Sequence, residues 1–383
     1  MKTRKATILL AGAAIACMAI MSGCSKSPIG LGGKAIQFTA SGSSQTTKTE
    51  YGDDSGSKQA LDWKTGDVIT VASPQAPVQN DNTGNLHASN YVVTVKTTGV
   101  PSTGSVKNEG VNGLMWSDDD EIKAYDFYAI YPKAGNDISI VPASGLVTAT
   151  IPASQPLNGT ASDKTVGEGD AAITYKEYKP DMNFAFMTAA TKGVTPTTEA
   201  ASVKLTFDPA FTAFEFNVSS QDEDEIELTE FELLSPNDGE SVKRNDKLAG
   251  QFTMTAGLFS SIAAASSATQ SITVDMSGAP QKIDETHGLT FTVFALPVAN
   301  KEPLRLRFTS KDGDNASKTS WLDLKYSDDE EKAGTNAGKP LVFEAGHKYR
   351  INMLKLPSSQ WKISIKPIFE GWVEAGDEVV IYI

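Results

Sequence analysis

Residues 203–218 read VKLTFDPAFTAFEFNV, and the fold class follows from how they alternate. Val203, Leu205 and Phe207 share one side of an extended chain. After Asp208-Pro209, Phe214, Phe216 and Val218 do so again. Successive side chains of a strand point to opposite faces. Apolar residues two apart therefore mark a sheet with one buried and one solvated face. The same period recurs in LRLRF (304–308), YRINM (349–353) and WKISI (361–365). It recurs in the first half as IQFTA near Ile36, DVITV near Val68, YVVTV near Tyr91 and YDFYAIYP near Phe127.

Helical patterning is scarce; its best example, AGLFSSIAAASS (256–267), is short and Ser-rich. Turn-forming clusters such as PASG, PNDG and KDGDN punctuate the strand patterns, as in antiparallel sandwiches. No internal repeat of 20–50 residues is visible, which argues against a propeller or solenoid. The Thr/Ala-rich stretch between Thr188 and Ser202 separates two strand-rich halves. The sequence thus predicts an all-β chain of two antiparallel β-sandwich domains in tandem, over 34–190 and 200–383.

The first residues, MKTRKATILLAGAAIACMAIMSGC, place three basic residues before a sixteen-residue apolar run (Ala6 to Met21). That run is shorter than the ~20 residues of a membrane span and fits the core of a secretory signal over residues 1–23. Met21-Ser22-Gly23-Cys24 resembles a bacterial lipobox, which makes Cys24 the lipidation site, carrying diacylglycerol and an N-acyl chain. The only other cysteine, Cys17, leaves with the signal, so the folded part has no disulfide and no Cys ligand or nucleophile. Residues 24–33 form a Ser/Gly/Pro-rich tether. Losing the signal removes three basic residues and no acid, which deepens the net charge from −13 to −16. So acidic a chain is unsuited to nucleic acid or anionic headgroups.

No motif for chemistry survives its context. SGSK (55–58) and KTG (64–66) lie too close together for a penicillin-binding site. GTNAGKP (334–340) lacks the spacing, the Ser/Thr and the helix of a phosphate loop. The stretch DGDNAS (312–317) misses the Gly and Glu of a calcium loop. His87, His287 and His347 show no zinc spacing, and no pair of carboxylates is singled out. The acidic clusters at 118–121, 222–227 and 328–331 read as solvated loops. The five Trp read as core and sheet-corner packing, with sugar stacking by an exposed ring as the functional alternative. No catalytic residue, metal site or cofactor is expected beyond the covalent lipid.

In order along the chain, the lipobox, IQFTAS, TTKT, LDWKTGDVITV, YDFYAIYP, VKLTFDPAFTAFEFNV, KLAGQFTM, FTVFALPVANKEPLRLRF, EAGHKYRINM and GWVEAGD resemble the fimbrillin-like lipoproteins of Bacteroidetes. These are the subunits and accessory proteins of type V pili. The resemblance implies two transthyretin-like sandwiches, an outer-membrane or cell-surface location in a fimbrium, other fimbrillin subunits as partners, and membrane attachment through the lipid. Host or bacterial surface glycans or proteins are further partners it allows. A non-polymerising glycan-binding lipoprotein is the alternative.

The resemblance also implies assembly by strand exchange, in which a protease removes the N-terminal strand and a C-terminal strand from the next subunit fills the groove. In this family cleavage usually follows Arg, but no Arg lies between Arg4 and Arg244. Lys48, where the Thr-Arg motif would stand, is the candidate processing site. The chain ends GDEVVIYI, and Val379, Ile381 and Ile383 have the spacing of a donor strand's anchoring side chains.

Overall fold

The computed structural model describes residues 33–42, 50–54, 59–81, 85–97, 103–110, 112–157, 160–167, 172–196, 202–235, 246–297, 303–312, 315–325, 338–341, 343–357, 360–367 and 379–382. Among them there is no α-helix. The all-β expectation holds.

Seven strands close a barrel. In order round it they are β1 (Phe38–Gly42), β13 (Val203–Pro209), β12 (Met187–Val194), β7 (Tyr125–Tyr131), β4 (Val68–Ala72), β5 (Ala88–Thr97) and β6 (Thr103–Asn108). Every pairing is antiparallel except that of β1 with β13. The small hairpin β2 (Glu50–Asp54) and β3 (Gln59–Asp62) follows β1 in the chain.

The second unit is a sandwich. One sheet runs β10 (Ser162–Val166), β11 (Ile173–Glu177), β20 (His287–Ala295), β14 (Thr212–Ser220), β23 (Lys348–Lys355), β24 (Trp361–Pro367) and β25 (Val379–Tyr382). The facing sheet runs β18 (Ser271–Asp275), β15 (Ile226–Leu234), β21 (Leu304–Asp312) and β22 (Lys318–Leu324), with β19 (Gln281–Ile283) also paired to β15. A smaller sheet of β17 (Leu258–Ala264), β16 (Gly250–Thr255), β9 (Leu146–Ile151) and β8 (Ser139–Val141) completes the set.

The alternating residues fill the cores as their period requires. Phe214, Phe216 and Val218 are fully buried, as are Leu304, Leu306, Ile351 and Ile363. Phe216 meets Phe231 across the sandwich at 4.4 Å between ring centroids, and Phe308 meets Trp361 at 4.8 Å. A second cluster fills the barrel. β7 serves both: Tyr125, Phe127, Ala129 and Tyr131 face the barrel core, whereas Tyr128 and Ile130 join the sandwich core. A strand buried on both faces loses the polar alternation, which is why YDFYAIY carries a single acid.

Two sequence expectations are corrected here. The Thr/Ala-rich stretch read as a domain boundary is in its first part strand β12 itself and then runs on to β13, with which β12 pairs inside the barrel. Strand β13 therefore belongs with the first half. Strands β10 and β11, from the first half, extend the second unit's sheet through β20, and β9 pairs with β16. The composition shift marked a hairpin connection, and the long-range pairings carry no local signal. Residues 256–267 hold no helix: β16 and β17 form a hairpin around Gly257. Its positive φ of 72° suits glycine, and a Cβ there would meet Ala190 of β12 at 2.9 Å.

The outward face of the seven-stranded sheet holds a buried charge cluster. Glu215 of β14 accepts from Arg350 Nε at 2.6 Å and pairs with Lys348, both on β23. Burial alone would raise the Glu215 pKa, but Lys348 and Arg350 outweigh it and hold the carboxyl below its ordinary 4.5. A carboxylate with a lowered folded value adds stability that is complete above its unfolded value and is lost as pH falls through the folded one. Glu215→Gln removes the buried carboxylate that Lys348 and Arg350 share and is expected to cost about 3–5 kcal/mol at neutral pH. Urea denaturation over a pH series should show the deficit shrinking below about pH 4.5. A pH-independent deficit would assign the loss to packing alone.

Candidate functional site: the strand that closes the barrel

Strand β1 is held along both of its edges. Phe38 to Gly42 pair in parallel with Val203 to Phe207, and Phe38 to Ser41 pair antiparallel with Val106 to Thr103. The chain just before it is also tied down: Ile36 N–H donates to Leu114 O at 2.9 Å, and Trp116 N–H donates to Lys34 O at 3.1 Å. Val203 N–H reaches Gln37 O at 2.8 Å, so β13 is fastened before the strand proper begins.

The alternation of IQFTA decides what β1 buries. Ile36, Phe38 and Ala40 point into the barrel, and Gln37 faces solvent. The Phe38 ring sits edge-on to Tyr91 at 5.0 Å and to Phe127 at 5.3 Å. Burial pushes the Tyr91 phenol up, although the Leu114 N–H it accepts at 2.8 Å works the other way. Tyr91 is therefore a neutral wall of the seat. Ile36 and Phe38 each gain ~1.5–3 kcal/mol from burial, before ordering costs.

Without β1 the barrel would have two unpaired edges, β6 and β13, with an apolar trench between them. Any strand with apolar residues at alternate positions could supply both the backbone bonds and the side chains. The chain continues from β1 through 43–49, and the candidate processing residue Lys48 lies in that stretch, outside the described residues. Cys24 and Ile383 also lie outside them.

The last described strand, β25, belongs to a different sheet from β1. It forms the edge of the seven-stranded sheet, antiparallel to β24, with Val379 opposite Ile365 and Ile381 opposite Ile363. Its other edge has no paired strand among the described residues.

The remaining sequence candidates lie apart from this strand. Trp63, Trp116 and Trp361 are buried, and Trp63 packs edge-on to Phe207 at 5.1 Å. Trp321 is exposed on the edge strand β22, where the Arg305 guanidinium lies 4.4 Å from its ring centre. Trp372 lies outside the described residues. His87 and His347 each bond a backbone carbonyl through Nδ1, at 3.1 and 3.0 Å. His287 closes a turn with Asp284. Burial would raise that carboxyl, but hydrogen bonds from Thr286 and His287 hold it at about 2. Among the described residues no three His, Cys, Asp or Glu side chains converge as a metal would require.

No family model matches the sequence, and no curated protein matches it. The chain is similar to several solved structures from Bacteroidetes. A candidate cell adhesion protein of Bacteroides uniformis shares 14% identity, with 88% of this chain and 98% of that one covered and a TM-score of 0.47. A fimbrial assembly protein of Parabacteroides distasonis shares 12%, covering 90% and 99%, with a TM-score of 0.36. The tip fimbrial protein Mfa3 of Porphyromonas gingivalis, truncated at its C-terminus, shares 11%, covering 91% and 98%, with a TM-score of 0.31.

If β1 is the keystone of the barrel, Phe38→Ala should cost about 3–5 kcal/mol in chemical denaturation. Thr39→Ala, one residue along and half-exposed, should stay within about 0.5 kcal/mol. Equal effects of the two would show that the seat tolerates an empty pocket.

Proposed function

We propose that this chain is a structural or adhesive subunit of a surface fibre, made as a lipoprotein precursor and joined to its neighbours by strand exchange. One observation carries the reading. Strand β1 completes the barrel through both edges and buries Phe38 and Ala40 in its core, yet among the described residues it comes before every other strand.

On this reading Cys24 carries the lipid that takes the precursor to the outer membrane. Cleavage after Lys48 then frees β1 from the chain that follows. The trench it leaves accepts the C-terminal strand of another subunit, with Val379, Ile381 and Ile383 as its anchors. The last strand suits both places: at the edge of its own sheet it is held by one ladder, with β24, whereas a barrel seat would offer two. The second ladder and the closed trench favour transfer once the seat is open. The ordered motifs that resemble fimbrillin-like lipoproteins support this reading, on which the chain works at the cell surface.

Two measurements test it. N-terminal sequencing of material recovered from the cell surface should find a start at Thr49. An intact acylated Cys24 on every copy would limit the chain to an anchoring, non-exchanging role. Deleting Gly376–Ile383 should leave a folded monomer that no longer forms fibres. Unfolding of that variant would make the segment an obligate part of its own sheet.

A further inference from the structure

The outward face of the seven-stranded sheet carries a row of polar side chains in register across four strands. Thr290, Asn217, Asn352 and Ser364 stand side by side on β20, β14, β23 and β24. They bond in series: Thr290 Oγ1 donates to Asn217 Oδ1 at 2.9 Å, Asn217 Nδ2 to Asn352 Oδ1 at 3.1 Å, and Asn352 Nδ2 to Ser364 Oγ at 3.3 Å. A carboxamide has two N–H donors and two lone pairs. The ladder uses one donor and one lone pair of each Asn. A further N–H and a further lone pair on each half-buried Asn are left for an outside molecule.

Beside the ladder stands an aromatic ring on a built seat. Tyr175 of β11 is in register with Gly288 of β20, and a Cβ on that glycine would meet the ring at 2.5 Å. The absent side chain of Gly288 is what lets the ring lie against the sheet. Tyr175, Asn217, Asn352 and Ser364 line a groove of about 470 Å³, with Lys362 and Glu285 also on its wall. That volume is within the range of about 300–1,000 Å³ typical of small-molecule sites.

We propose that this groove binds a neutral saccharide. Paired amide donors and acceptors match adjacent sugar hydroxyls, and an aromatic face takes the apolar C–H side of a pyranose ring. One basic and one acidic side chain on the wall leave no net charge to select an anion or a cation. A peptide strand would need an unpaired backbone edge, and the groove lies on a sheet face whose strands are paired on both sides. The site needs no strand exchange, so it belongs equally to a monomer.

The test is calorimetric titration of the monomeric protein with maltotriose, cellotriose, xylotriose, chitotriose and lactose. At least one should bind saturably at millimolar concentration or tighter, with an affinity unchanged by added salt. Tyr175→Leu, which keeps apolar cover over Gly288, and Asn352→Ala should each weaken that binding about tenfold. Both variants should keep the thermal midpoint of the parent to within a few degrees. Trp321→Ala, on the other sheet, should bind as the parent does. Failure of all five sugars to bind saturably would overturn the proposal. So would binding that survives both groove variants or disappears with Trp321.

Discussion

The structure depends on a strand held by two neighbours at once. Strand β1 joins β6 to β13, and without it the barrel is an open sheet with an apolar interior. Its bonds are of two kinds that reinforce each other. The backbone ladders fix its register, and that register delivers Ile36, Phe38 and Ala40 into the core. A shift by one residue would turn all three outward and bring Gln37 and Thr39 in. The seat therefore selects for alternating apolar residues.

The rest of the fold gives that seat a rigid frame. Strand β7 contributes rings to both cores, so the barrel wall opposite β1 is backed by the sandwich. Phe127 and Tyr91, which receive Phe38, belong to strands paired on both sides. The sandwich is braced on its outward face by Glu215 between Lys348 and Arg350, a compensated cluster that is costly to break at one member. Removing β1 would thus leave the sandwich core in place.

Period-two alternation made much of this legible before any coordinates. VKLTF, FEFNV, LRLRF, YRINM and WKISI all bury the residues their spacing assigns, because one face of each strand meets a core. Pairing was not legible. Nothing in IQFTA says that it runs parallel to VKLTF more than 160 residues later, and nothing in TYKE says that Tyr175 will lie over Gly288. The polar ladder shows the same limit. Asn217, Asn352 and Ser364 are visible as polar residues between buried ones in three separate motifs. Only the register lines them up. Local patterning reports faces; partners are set by topology.

The most direct measurement is hydrogen exchange on the chain cleaved at Lys48, before and after the N-terminal fragment is removed. Strand replacement predicts that amides in Thr103–Asn108 and Val203–Pro209 lose protection when β1 leaves, while β14 and β23 keep theirs. A synthetic peptide of the sequence GDEVVIYI should then restore protection at both barrel edges. If the edges stay protected without β1, if protection collapses throughout the chain, or if the peptide restores nothing, the barrel is not a seat for an exchanged strand.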